Sequence, residues 1–399
     1  MKKNESKLPP RWSQLALGQI VESAQYGLSK KSDPNGNTAI LGMKQLVDGQ
    51  ISAEKCSRVQ LEVEEQEKYR VRKGDLLFNR TNSLELVGKS AIACSDLDCV
   101  FASYLIRFQL NREIVDPEFV GQLFNWYDTF QRLKAFATPG ASQVNINPST
   151  LQRLFELSIP PLDQQKKIAE TLNTWDEAID QAQKLIDAKQ RRKKALMQQL
   201  LTGRTRLPGF SEKWQEHRLG DLFENRVERK REDLPLLSIT SDRGVIPRAQ
   251  LNKKDSSSKD KSKYLRIKPN DIGYNTMRMW QGVSALSDLE GIVSPAYTVC
   301  IPGPKILGRY AAHLFKLPPV VNLLWRNSQG LVDDTLSLKY HHFALIKLTI
   351  PSVEEQEAIA SILDECDREI EILKSVGQAI AHQKRGMMQK LLTGKVRVV

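Results

Sequence analysis

The feature that most constrains this chain is a duplication. Residues 159–207 align without a gap to residues 350–398, at a constant offset of 191. Identities include Ile159/Ile350, Pro160/Pro351, Gln165/Gln356, Ile168/Ile359, Ala169/Ala360, Leu172/Leu363, Asp176/Asp367 and Ile179/Ile370. They resume where Leu200-Leu201-Thr202-Gly203 matches Leu391-Leu392-Thr393-Gly394. A match this long is an internal repeat, so whatever one copy folds into must occur twice.

Each copy reads as one long helix. In the first, Ile168, Leu172, Trp175, Ile179, Ala182, Ile186, Lys189, Lys193, Leu196 and Leu200 follow alternating steps of four and three. In the second, Ile359, Leu363, Cys366, Ile370, Leu373, Gly377, Ile380, Lys384, Met387 and Leu391 hold the same phase. A period of 3.5 is a coiled-coil seam and needs a long partner. Pro161 and Pro351 precede the helices, Ser352 and Glu355 stand at capping-box spacing, and Gly203 and Gly394 fit C-terminal caps. Each helix should run roughly 40 residues, about 60 Å. Lys189, Lys193 and Gly377 weaken the seam in its middle and towards its end.

The segments ahead of the helices correspond more loosely. Trp12 matches Trp214, Leu17-Gly18 matches Leu219-Gly220, and Asp75, Asn79, Gly88, Ser90 and Ala91 match Asp271, Asn275, Gly282, Ser284 and Ala285. The order is a variable domain at 1–158, a repeated helix at 159–203, a linker at 204–213, a variable domain at 214–349 and a repeated helix at 350–394. The C-terminal Leu-Leu-Thr-Gly-Lys-Val-Arg leads back to Leu8-Pro9-Pro10-Arg11-Trp12, as the internal junction leads to Trp214. The expected fold is therefore α+β (mixed): two globular α/β domains separated by two long helices in an antiparallel coiled coil, pseudo-two-fold and quasi-circular, with the termini close together. Strands are expected at 71–79, 86–93, 99–110 and 154–159, and again at 264–268, 271–275, 282–287, 291–301 and 343–350. Asp116-Pro117 should start a helix carrying Phe119, Leu123, Trp126, Phe130 and Leu133 on one face. Pro318-Pro319 interrupts the helical part of the second domain.

Charge and motifs bound the function. Lys plus Arg number 59 against 47 for Asp plus Glu, a net charge of +12, which suits a polyanionic partner. The five cysteines, Cys56, Cys94, Cys99, Cys300 and Cys366, form no CxxC pair, which points to a reducing compartment. The start, Met1-Lys2-Lys3-Asn4-Glu5, has no apolar stretch behind it, and no run approaches membrane-spanning length, so a soluble cytoplasmic protein is expected. Gly88-Lys89-Ser90 resembles the tail of a phosphate-binding loop, but position 83 is Ser where that loop needs Gly. Asn147-Pro148-Ser149-Thr150 stops short of an adenine-methyltransferase motif, and no histidines fall at metal-ligand spacing. The acidic stretch from Glu62 to Glu67 reads as a solvated loop or helix face. A fused methyltransferase or nuclease is thereby disfavoured. A coiled-coil scaffold without DNA function is disfavoured by the charge and the diverged domains.

Leu157-Ser158-Ile159-Pro160-Pro161-Leu162-Asp163-Gln164-Gln165, followed by Ile168-Ala169, resembles the constant region of type I restriction-modification DNA specificity subunits. Leu200-Leu201-Thr202-Gly203 leading to Arg206-Leu207-Pro208-Gly209-Phe210 is similar to it too. The stretch from Lys73 to Ser83, running into Val87-Gly88-Lys89-Ser90-Ala91, resembles that family's strand–loop–strand unit, and Asn270-Asp271-Ile272-Gly273-Tyr274-Asn275 is its second copy. The resemblance covers essentially the whole chain. Ser352 and Cys366 depart from Pro161 and Trp175 of the first copy. It implies a non-catalytic subunit whose two target recognition domains read an asymmetric bipartite site on double-stranded DNA, with the helices as a ruler. It also implies two modification subunits that methylate adenine at N6, and restriction subunits. S-adenosylmethionine, ATP and Mg would belong to those partners, leaving no cofactor or metal in this chain. Two modules on one face of B-DNA dock about 34 Å apart.

Base-reading side chains are expected in polar loops, since Arg pairs with guanine and Asn with adenine. Candidates are Asn79, Arg80, Thr81, Asn82 and Ser83 with Lys89; Ser142, Gln143 and Asn145; and Asn275, Arg278, Trp280 and Gln281 with the intervening Thr276, Met277 and Met279. Lys253, Lys254, Lys259, Lys261 and Lys263 form a basic loop suited to backbone contacts or to solvent. Arg191-Arg192-Lys193-Lys194 sits on the first helix, where a face towards DNA or a partner is expected.

Overall fold

The computed structural model describes residues 8–140, 142–251, 258, 260–331 and 335–398. It divides into two compact units: one holds residues up to 182 with those from 376 onward, the other residues 183–375. Lys253, Lys254 and Lys259 lie outside the described residues.

The two repeated segments are helices Leu162–Leu200 and Val353–Leu391, each of 39 residues. Both units are built around parts of both helices. In the first, Ile168, Ala169 and Leu172 from the start of one helix share a core with Met388, Leu391 and Leu392 at the end of the other. In the second, Leu200 and Leu201 share a core with Ile359, Ala360 and Leu363. Start packs on end in each unit, so the pairing is antiparallel. Along the seam Ile168, Leu172, Ile186, Leu200, Ile359, Leu363, Cys366, Ile370 and Leu391 are buried. Trp175, Ile179, Leu196, Leu373, Ile380 and Met387 are half-buried.

The lysines that interrupt the apolar pattern are paired across the seam. Lys384 reaches both carboxylate oxygens of Asp176 at 2.6 and 2.7 Å in the first unit. Its repeat mate Lys193 reaches Asp367 at 2.5 Å in the second. Lys189 pairs with Glu369 at 2.7 Å. A lysine stem fills seam space while its ammonium meets a carboxylate, so the position contributes packing and register together.

Each globular part hangs on a four-stranded antiparallel sheet of the same order. In the first unit the order is Val21–Tyr26, Leu105–Leu110, Leu76–Asn79, Ser90–Ile92. In the second it is Phe223–Asn225, Tyr297–Pro302, Ile272–Asn275, Ser284–Leu286. A two-stranded pair closes each domain next to its helix, Ser13–Ala16 with Glu156–Ile159 and Gln215–Arg218 with Lys347–Ile350. The first unit adds a sheet in which Thr38–Leu41 lies between Cys99–Phe101, parallel, and Ser57–Val59, antiparallel. Burial pushes the Cys99 thiol up to about 12, so it packs as an apolar group. Cys300 is pushed up by burial as well.

Several expected elements are shorter than their patterns. The run 99–110 is two strands divided by a turn, as is 291–301, because Ala102-Ser103-Tyr104 and Ser294-Pro295-Ala296 redirect the chain between sheets. The helix begun at Pro117, with Asp116 accepting the Phe119 N–H at 2.9 Å, ends at Asn125. Extended backbone at Trp126 starts a separate helix, Tyr127–Lys134, so Phe119 to Leu133 do not share one helical face. The acidic stretch forms helix Val63–Tyr69. Only half of the capping box forms. Ser352 accepts the Glu355 N–H at 3.4 Å, but the Glu355 carboxylate takes a bidentate bond from Arg206, 2.7 Å on each arm, and a third from Trp214 at 3.1 Å.

Gln165 and Gln356 show why the repeat keeps a buried glutamine. The Gln165 carbonyl accepts the Asp116 N–H at 2.8 Å while its amide donates to Ile114 and Pro160 carbonyls at 3.0 and 2.8 Å. Gln356 does the same with Leu307, Lys305 and Pro351 at 2.8, 3.0 and 2.9 Å. Each pins its helix to its globular domain by pairing backbone groups on both sides of the junction, one of them a buried proline carbonyl. Gly203 and Gly394, at φ of +69 and +67, turn the chain after each helix and lie against Trp214 and Trp12. Pro9 packs on Gly394, which places the two ends of the described chain side by side within the first unit.

Candidate nucleic-acid interface

In the first unit, the central strand Leu76–Asn79 delivers the chain to the loop beginning at Arg80. Two stretches far apart in sequence meet there. Thr81–Asn82 pairs antiparallel with Val144–Ile146, and that strand pairs with Ala137–Pro139. The Thr81 hydroxyl donates to the Asn145 side-chain oxygen, and Thr138 donates to the Asn145 carbonyl at 3.0 Å. Asn82 accepts the Ser83 N–H at 2.8 Å. Ser142 is exposed and Gln143 half-buried at the end of this small sheet. Lys89 is half-buried in the turn that returns to the main sheet.

Asn79 departs from the expectation of a base-reading side chain. It is wholly buried, and neither side-chain atom has a hydrogen-bond partner among the described residues. The central strand is buried on both faces, with Leu76 and Phe78 in one core and Leu77 in another, so Asn79 is unavailable to a base edge. Two residues missed in the sequence stand beside the loop instead. Tyr26 is 51% exposed, with the Arg80 guanidinium 5.1 Å over its ring, and Tyr104 is 47% exposed and accepts the Arg80 N–H. Their signal was weak because each lies at a strand end far along the chain from Arg80.

The second unit builds the corresponding loop differently. Asn275 accepts the Met277 N–H at 3.0 Å, and Trp280 donates to the Met277 carbonyl at 3.0 Å. Met277, Arg278 and Gln281 are exposed, Asn275, Thr276 and Trp280 half-buried, and Met279 buried. A cleft of about 500 Å³ adjoins it, lined by Asn275, Tyr264, Tyr297, Ser238, Arg248 and Lys263 among others. Lys261 stacks over Tyr264 at 5.1 Å. On the long helix Arg191, Arg192 and Lys194 are exposed, whereas Lys193 is committed to Asp367.

At the start of each central strand stands a buried aspartate that the repeat retains, paired with an arginine that comes from a different strand in each unit. Asp75 accepts the Arg72 N–H at 2.9 Å and faces Arg107 at 3.3 Å; burial raises its carboxyl above the usual range despite that hydrogen bond and that charge. Asp271 accepts the Lys268 N–H at 2.7 Å and takes a bidentate bond from Arg226 at 2.7 and 3.0 Å, which raises the Arg226 guanidinium further. These pairs hold the turn before the central strand and so aim the loop that follows it. The arrangement offers polar, cationic and aromatic side chains on a fixed scaffold, which suits recognition. Among the described residues no group of three or more His, Cys, Asp or Glu side chains is placed to hold a metal ion, and no helix is long and apolar enough to cross a membrane.

A family model described as the type I restriction modification DNA specificity domain matches this chain twice, over residues 9–189 and 211–382. A putative type I restriction enzyme MjaX specificity subunit from Methanocaldococcus jannaschii is 26% identical, over 100% of this chain and 96% of its own length. The type I restriction enzyme StySPI specificity subunit of Salmonella potsdam is 26% identical over 48% of this chain and 42% of its own. Among solved structures, the S subunit of a type I restriction-modification system from M. genitalium shares the fold at a TM-score of 0.59 and 16% identity, covering 98% of both chains. A second type I restriction-modification chain shares it at 0.56 and 16%, over 98% of this chain and 100% of its own.

Proposed function

This chain belongs to the type I restriction-modification DNA specificity family, and we propose that it reads an asymmetric, two-part target on double-stranded DNA, one half-site per globular domain. As a specificity subunit it is the non-catalytic, DNA-recognising member of a restriction enzyme complex. One observation carries the finer reading. The same sheet order, buried aspartate and helix attachment occur twice, while the polar side chains beyond the central strand differ: Arg80 and Asn82 with Asn145 beside them in one unit, Asn275, Arg278 and Gln281 in the other. Like scaffolds with unlike loops suit unlike half-sites.

Residues 1–158 and 214–349 would then be the target recognition domains, and helices of 39 residues, about 58 Å each, exceed the roughly 34 Å between successive turns of B-DNA. Two modification subunits dock on the helices, with restriction subunits beyond them. They carry S-adenosylmethionine, ATP and Mg, and the modification subunits flip and methylate adenine at N6. The assembly works in the cytoplasm. Co-expression with the modification subunit in a methylation-free host, followed by genome-wide mapping of N6-methyladenine, tests this. A single asymmetric motif with a fixed gap is expected, and exchange of residues 1–150 should change one half alone. An assembled complex that methylates no defined motif would refute the reading.

A further inference from the structure

We infer that Arg80 is the guanine-reading group of the first recognition domain. This deepens the proposed function and rests on it. Several arginines of the fold are committed to carboxylates: Arg107 to Asp75, Arg226 to Asp271, Arg266 to Glu228 and Glu290, and Arg309 to Asp364 and Glu357. Arg58, Arg112 and Arg132 spend terminal nitrogens on backbone carbonyls. Arg80 is held without a carboxylate. Its N–H donates to the Tyr104 carbonyl at 3.1 Å, and its carbonyl accepts the Ile146 N–H at 2.8 Å, so its backbone is bound from both sides. Its guanidinium lies 5.1 Å over the Tyr26 ring, and Nε donates to the Ser103 carbonyl at 3.3 Å.

That single side-chain bond uses Nε. The two terminal nitrogens have no partner among the described residues. A guanidinium fixed through Nε and one face presents its terminal edge, whose two parallel donors match O6 and N7 of guanine in the major groove. Rotamer freedom that a solvent-exposed arginine would lose on binding is already lost here, which favours a base contact of defined geometry over a loose phosphate contact. In the second unit the same backbone position is Thr276, bonded to the Ala296 carbonyl at 3.0 Å and the Leu338 N–H at 2.8 Å. Threonine has no such fork. Guanine reading at this loop position is therefore confined to one half-site.

The test is the methylome of the full chain with its modification subunits, for wild type, Arg80→Gln, Arg80→Lys and Tyr26→Ala. The wild-type motif should hold a guanine in one half. Arg80→Gln should relax that position alone by about 5- to 150-fold, the equivalent of one bidentate base contact, with the gap and the other half unchanged. Arg80→Lys should fail to restore it, because lysine keeps the charge and loses the fork. Tyr26→Ala should relax the same position by less. Equal loss of methylation at all sites in Arg80→Gln, full rescue by Arg80→Lys, or an unchanged motif would overturn the assignment. A two-part wild-type motif without guanine overturns Arg80 alone, whereas no two-part motif overturns the reading of the whole chain and Arg80 with it.

Discussion

Removing the charge at Asp176 asks how the helices are held in register. Lys384 lies 2.6 and 2.7 Å from the two Asp176 oxygens, with the side chains 13% and 20% exposed. The repeat mate, Lys193 with Asp367 at 2.5 Å, has an aspartate 53% exposed. At an effective dielectric of about 20 the Coulomb attraction in the first pair is roughly 6 kcal/mol. Desolvation offsets most of it, leaving a coupling of ~1–3 kcal/mol. Water screens the second pair to ~0.2–1 kcal/mol. Asp176 also accepts from Gln122 at 2.7 Å, so Asp176→Asn disturbs the helix pair and its globular domain together. Two double-mutant cycles, Asp176→Asn with Lys384→Met and Asp367→Asn with Lys193→Met, would be followed by urea unfolding of the full chain. Each cycle is read from the transition of the unit that holds the pair, because the two units need not unfold together. The charge-swapped Asp176→Lys/Lys384→Asp chain should recover part of the loss. Equal couplings, or a larger one at Asp367, would refute the reasoning that burial sets the difference.

Other outcomes follow from the same contacts. Gln165→Ala should cost about 1–3 kcal/mol in denaturant unfolding, because it removes three hydrogen bonds at once and leaves the buried Pro160 carbonyl unpaired; a cost under about 1 kcal/mol would contradict the pinning role. Gly203→Ala should cost about 1–2 kcal/mol from left-handed backbone alone. Gly394→Ala should cost more, since its added carbon would lie 2.4 Å from Pro9, and calorimetry on the pair of variants decides between them. Burial alone would raise the Asp364 carboxyl, yet the His313 and Arg309 hydrogen bonds and charges hold it below the usual range. A value lower folded than unfolded adds stability above about pH 4, lost as the pH falls through the folded value. Asp364→Asn should therefore flatten the acid limb of a melting-temperature profile, and an unchanged limb would contradict this.

What the sequence by itself determined was the part governed by periodicity and repetition. The offset of 191 and the seam of period 3.5 were enough to place two helices whose bounds, Leu162–Leu200 and Val353–Leu391, sit at the same offset. The duplicated junction also anticipated that the two ends lie close together, as they do where Pro9 packs on Gly394. These signals are local or internal to the chain, so they survive without coordinates. Tertiary structure decided what depends on which face a strand turns and which distant segments meet. Asn79 and Arg80 are neighbours, yet a central strand covered on both faces buries one while the loop presents the other. Asn145 comes to Thr81 only because a short strand from 144 pairs back across some sixty residues of chain. The seam lysines looked like defects in an apolar pattern until Asp176, Asp367 and Glu369 were found opposite them. A partner on another helix, unlike a period, cannot be read from one strand of sequence.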